Sequence, residues 1–124
     1  MTHADVFEGL DGIQGWQEEL YVHLHQNPEL PMQETETAAE ITRRLESYGY
    51  DVQHIGGGVV GIMANGEGPK VLFRADIDAL PVKEITGLPY ASTKQQVDRD
   101  GVTQDVMHAC GHDLHMSMLI GAAH

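Results

Sequence analysis

The chain has 124 residues, 41% hydrophobic and 21% charged, a balance that suits one globular domain with a modest core and excludes a disordered chain. Nineteen acidic against seven basic residues give a formal charge of -12, which excludes the basic face that nucleic acid or an anionic membrane surface would require. A single cysteine excludes an internal disulfide, no apolar run approaches the ~20 residues of a bilayer span, and the acidic start MTHADVFEGLDG is no signal peptide; a soluble cytoplasmic protein is expected.

From Gly12 to Gln26, Ile13, Trp16, Leu20, Val22 and Leu24 fit one helical face loosely, and Asn27-Pro28 is a stop signal. A second helix is clearer: acids at Glu34 and Glu36 sit in the first turn, Ala38, Ile41, Leu45 and Tyr48 follow at helical spacing, and Gly49 closes it. Three strand candidates come next, at Asp51 to Ile55, Val59 to Ala64 and Lys70 to Ala75, with Asn65-Gly66 as a hairpin signal between the last two. The order of two helices and three strands predicts an α/β layered domain. Leu80-Pro81 and Leu88-Pro89 bracket a loop, and the polar stretch Ser92 to Gln104, with Asp100-Gly101 as a turn, predicts a surface hairpin or insertion. Asp113 then reads as the N-cap of a helix through Leu114, Met118 and Ile120. That helix reaches His124 with no stop signal, so the chain is expected to be the N-terminal piece of something longer.

Chemistry concentrates in HACGHDLH, His108 to His115. Cys110 and His112 lie two apart, a spacing that brings both to one side of a turn, which Gly111 permits. Thiolate and imidazole are preferred zinc ligands and suit other divalent transition ions. The plainer reading of a lone cysteine is a small buried apolar residue. His108 and His115 are further candidates, but four ligands from one eight-residue turn would strain a tetrahedral site, so other ligands are expected from elsewhere. The second cluster, Arg74 to Pro81 (RADIDALP), follows the third strand candidate. Alternation places Asp76 and Asp78 on one face at its end, to bind a metal or to orient a metal-bound histidine. The alternative is that one aspartate starts a turn while Arg74 neutralises the other.

RADIDALP, followed about thirty residues later by MHACGHDLH, resembles one family, as do LHQNPEL with Glu34, Thr35 and Thr37 after it, and GLPYAS at Gly87 to Ser92. It is the metal-dependent amidohydrolases of the aminoacylase and carboxypeptidase superfamily, in the branch of hippurate hydrolases and auxin-conjugate hydrolases. The likeness runs from about Trp16 to the last residue. It implies an α/β fold, the N-terminal part of a zinc-peptidase-like catalytic domain with helices packed on a mixed β-sheet. Residues 1–124 would be one portion of that domain, the rest of it and an inserted lid or dimerisation domain being absent. It further implies Cys110 and His112 as ligands of one or two divalent ions, manganese or zinc, with cobalt also acceptable. Asp78 would orient a histidine ligand, whereas Asp76 stands where relatives outside this branch have a metal-binding histidine, and Asp113 and His115 would lie around the ligands or in the packing. The other ligands, a glutamate and two histidines, and the glutamate that serves as general base belong to the absent part. Tyr21-Val22, where members commonly carry arginines, and the long stretch KQQVDRDGVTQDV depart from the pattern without touching the metal motif.

The implied reaction is hydrolysis of the amide bond of small N-acyl amino acids or peptide-like conjugates, by a full-length form that could be a homo-oligomer. A divalent ion polarises the carbonyl, and a glutamate moves the proton. With two of about five ligands and no base, the isolated chain is expected to be inactive. A non-catalytic metal-binding or regulatory module on the same fold, and a redox-active Cys110 with histidines as activators, are the rival readings.

Overall fold

A computed structural model of the protein describes residues 7–124; the expectation about the extreme N-terminus falls partly on residues 1–6, outside the described residues. Helices α1 (Leu10–Gln26), α2 (Thr35–Ser47) and α3 (His112–Ala123) accompany two separate antiparallel hairpins, β1 (Asp51–Ile55) with β2 (Gly58–Ile62), and β3 (Gln95–Val97) with β4 (Thr103–Asp105). The class is α/β, as expected. No described helix is long and apolar enough to cross a membrane.

Helix α1 ends at Gln26, as Asn27-Pro28 predicts, and buries only Leu20, Leu24 and His25, which accounts for its loose apolar pattern. Helix α2 buries Thr37, Ala38, Ile41 and Leu45, and Gly49 follows its end with φ 89°. Its N-terminus is held by Glu29, the sixth residue of LHQNPEL. One carboxylate oxygen of Glu29 accepts from the Thr37 amide and hydroxyl, both at 2.6 Å, and the other from the Glu36 amide at 3.1 Å. A buried carboxylate thus satisfies amides that have no partner inside the helix and complements its positive end.

The core joins Leu20 and Leu24 of α1, Ile41 and Leu45 of α2, and Met116 and Ile120 of α3, with Trp16, Tyr48, Val52 and Val59 packed around it. A smaller cluster of Leu30, Ala79 and Val106 draws together the segments that follow α1, carry RADIDALP and precede MHACGH.

Two sequence expectations are corrected. The β-hairpin turns at Gly56-Gly57, both with positive φ as a two-residue turn between twisted strands demands, and so pairs the first and second predicted strands. Lys70 to Ala75 forms no strand, and Asn65-Gly66 no hairpin. A strand requires a neighbour to satisfy its amides and carbonyls, and β2 pairs only with β1 among the described residues. Val71, Leu72 and Phe73 are consequently 74%, 86% and 73% exposed. They border a cleft of about 630 Å³ shared with Leu45, Tyr50 and Met116. The predicted surface hairpin at 92–104 is present as β3 and β4, joined by a turn in which Asp98 accepts from the amides of Asp100 and Val102.

Candidate metal centre and its buried frame

Although the third strand is missing, RADIDALP and MHACGHDLH meet. Leu80 and Met107 exchange backbone hydrogen bonds at 2.9 and 3.0 Å in an isolated antiparallel bridge. This places Asp78 beside His112, whose Nδ1 lies 2.9 Å from the Asp78 carbonyl oxygen and 3.1 Å from Asp78 Oδ1. A carbonyl oxygen only accepts, so Nδ1 carries the proton and donates it, which leaves the lone pair of a neutral ring on Nε2. Asp76 Oδ2 stands 3.8 Å from that Nε2, while the other oxygen of Asp76 is paired with Arg74. Both aspartates therefore face the same imidazole without the strand that was expected to align them.

Cys110 is exposed, and Gly111 takes φ 80° as the N-cap of α3, which starts at His112. The helix has no side-chain cap, so Asp113 is not the N-cap expected from the sequence. It lies inside the first turn, 2% exposed, with Oδ2 turned to His25. The early start follows from glycine, which adopts the left-handed conformation at little steric cost and lets the chain enter the helix two residues sooner. His115 is exposed, its ring 6.0 Å from that of His112. His108 is buried, and neither ring nitrogen has a hydrogen-bond partner among the described residues. Burial pushes its pKa down, keeping the ring neutral. No group of three or more His, Cys, Asp or Glu side chains among the described residues is arranged to hold a metal ion. The chemistry of Cys110 and His112 fits two positions of a divalent site: an accessible thiol, and an imidazole with Nε2 available and Nδ1 anchored.

Behind this turn lies a network that sequence reasoning did not assign. His25 Nδ1 is 2.7 Å from Asp113 Oδ2, and its Nε2 is 3.0 and 3.1 Å from the two oxygens of Glu84. Carboxylates accept only, so both ring nitrogens donate and the ring is an imidazolium. Glu84, its side chain fully enclosed, also accepts from the Thr86 hydroxyl and the Ser92 amide, each at 2.5 Å. Tyr21 and Tyr90 close over the imidazole, with ring centroids 5.8 and 5.5 Å away. Ser92 Oγ in turn donates to the Val106 carbonyl at 2.7 Å. LHQNPEL, GLPYAS and MHACGHD are thereby tied together. Nothing periodic marks His25 or Glu84, because their partners lie 88 and 59 residues apart in the chain; only the histidine at the end of an apolar helix and the acid between two prolines were visible.

Burial opposes the charge on His25, but the hydrogen bonds to Glu84 and Asp113 outweigh it and raise its pKa above 6.5. A raised histidine pKa gives stability that is complete below the unfolded value and is lost as pH rises through the folded one. Glu84 is the converse: burial opposes ionisation, but hydrogen bonds from Thr86, His25 and the Ser92 amide lower its pKa, so its contribution is lost only as pH falls through that lowered value. The urea midpoint of unfolding is therefore expected to decline from pH 6.5 upward; a midpoint that stays flat or rises on the alkaline side would contradict the assignment.

Comparison with known proteins agrees with this arrangement of motifs. Residues 72–124 match the model of Peptidase family M20/M25/M40. The chain is 45% identical over 104 residues to the N-acetyl-L-cysteine deacetylase of Bacillus subtilis (82% of this chain, 23% of that protein). It is 43% identical over 114 residues to the hippurate hydrolase of Campylobacter jejuni (90% of this chain, 27% of that protein). The fold superposes on a protein from methicillin-resistant Staphylococcus aureus with TM-score 0.81 at 34% identity, over 96% of this chain and 30% of that one. A dinuclear metal-binding peptidase of the M20 family from Bacillus subtilis gives 0.75 at 35%, over 89% and 29%. The chain thus spans about a quarter of the length of the curated relatives it matches. The likeness runs through α1 and α2 as well as the matched segment, so nearly the whole chain is similar to the N-acyl amino acid deacetylase and hydrolase relatives and, over residues 72–124, to peptidase family M20/M25/M40.

Proposed function

We propose that this chain is the N-terminal portion of the catalytic domain of a metal-dependent amidohydrolase acting on N-acyl amino acids or amino-acid conjugates. The observation that carries the reading is His112, with Nδ1 committed to Asp78 and Nε2 left available, two residues after an accessible Cys110. The substrate class is supported by the deacetylase and hippurate hydrolase relatives. The hippurate hydrolase and auxin-conjugate branch is the finer proposal. Cys110 and His112 would supply two ligands, and one or two divalent ions, manganese, zinc or cobalt, would supply the Lewis acid. Asp78 would hold the His112 ring in place; Asp76, neutralised in part by Arg74, would face the same ion pocket without a ligand role fixed by its geometry. Exposed Val71, Leu72 and Phe73 beside the cleft suit packing against the remainder of a larger sheet, which supports the domain assignment.

The experiment is a hydrolysis assay of the intact coding product, stripped of metal and reloaded with manganese or zinc, on hippurate and a panel of N-acetyl amino acids. Metal-restored turnover is expected in the intact protein and none in the isolated 124-residue chain. An intact protein that binds the ions without hydrolysing any of these amides would favour a non-catalytic metal-binding module instead.

A further inference from the structure

We propose that His25 is a positioning residue for the metal centre: gripped between Glu84 and Asp113, it fixes the first turn of α3 so that Cys110 and His112 are held in one orientation. The inference rests on the metal-site reading above. Apart from the bonds of His112 to Asp78, no side-chain cap secures the turn. Its N-cap is Gly111 at φ 80°, with no side-chain cap, and Cys110 is exposed. Asp113 is the one acid of that turn and is buried, so its 2.7 Å contact with His25 anchors the ligand-bearing residues from inside. The facing segment is anchored from the same place. The Ala79 amide, next to Asp78, donates to the carbonyl of Glu29 at 2.8 Å, four residues beyond His25. The end of α1 and the segment just after it therefore hold both sides of the pocket, His112 through Asp113 and Asp78 through Ala79.

The charge arrangement makes His25 difficult to replace. Glu84 and Asp113 point at opposite nitrogens of one ring, and a neutral substitute leaves two enclosed carboxylates facing each other across it. That leaves a buried charge without its partner and forces a proton uptake or a shift of the turn. Supporting residues of this kind typically change metal affinity by ~10–100-fold when removed.

The test uses the intact protein loaded with cobalt, whose thiolate charge-transfer band reports on Cys110. His25→Gln is expected to weaken cobalt and manganese binding by ~10–100-fold and to shift that band, measured under conditions where circular dichroism shows the variant folded. A folded variant with lowered thermal stability but unchanged affinity and band would show a purely structural histidine and overturn the proposal. Should His25→Gln not fold, Asp113→Asn, which removes the charge that pairs with the His25 imidazolium, is read in the same way, unchanged affinity again overturning it. Cys110→Ser is the control: if it leaves the cobalt spectrum of the otherwise unaltered protein untouched, the metal-site reading itself fails. That outcome is distinct from an intact Cys110 signal that ignores His25.

Discussion

Replacing Cys110 by alanine is expected to weaken divalent-metal binding of the intact protein by about two orders of magnitude or more and to abolish amide hydrolysis with it. Structural zinc sites gain ~10–16 kcal/mol from four ligands, so one ligand is worth roughly 3 kcal/mol, or about a hundredfold in affinity. The exposed position of Cys110 makes the experiment clean, because removing its sulfur opens no cavity and breaks no packing. Equilibrium dialysis of manganese and zinc, with thermal unfolding in chelator as the control, reads the two effects separately. Affinity within threefold of the unaltered protein would remove Cys110 from the ligand set and return it to the redox reading, which predicts fast alkylation insensitive to added metal.

The largest stability loss is expected at Leu20→Ala, about 3–5 kcal/mol, near the top of the range for large-to-small changes in a core. Leu20 is 0% exposed and meets all three helices through Leu24, Ile41, Leu45, Met116 and Ile120. The cavity would be bounded by rigid helices on every side, so little collapse is available to reduce its cost. Denaturant unfolding with an unchanged m-value checks it. A loss under about 1 kcal/mol would mean that α1 and α3 close over the gap. Leu10 and Met118, on the open faces of the same helices, are the internal contrast and should cost little.

Elements governed by neighbours in sequence were legible. Pro28 stops α1, the apolar spacing of α2 marks its buried face, and Asp100-Gly101 turns the β3–β4 hairpin. What failed depended on distant partners. KVLFRA has the composition of a buried strand, yet strand formation is decided by whether another strand lies alongside, which no local pattern reports. Asp113 has the side chain of an N-cap, but His25, 88 residues earlier, competes for it, and Gly111 provides the turn. Of the candidate site, Cys110, His112, Asp76 and Asp78 could be named from spacing, and the structure brings both aspartates to His112. Glu84 and His25 could not, since a single acid and a single histidine carry no pattern until folding makes them neighbours.

The bond between His25 and Asp113 also sets an order of events. During synthesis the imidazole emerges early, and its second carboxylate arrives only after 88 further residues have been added. Until then Glu84 and His25 can pair only with each other or with water, and the cysteine that follows them is an ordinary solvated thiol. Closing so long a loop is slow compared with winding either helix. The nascent chain therefore passes through most of its length with α1 and α2 available but the turn that carries Cys110 and His112 unformed, a delay that postpones the pocket until its buried frame exists.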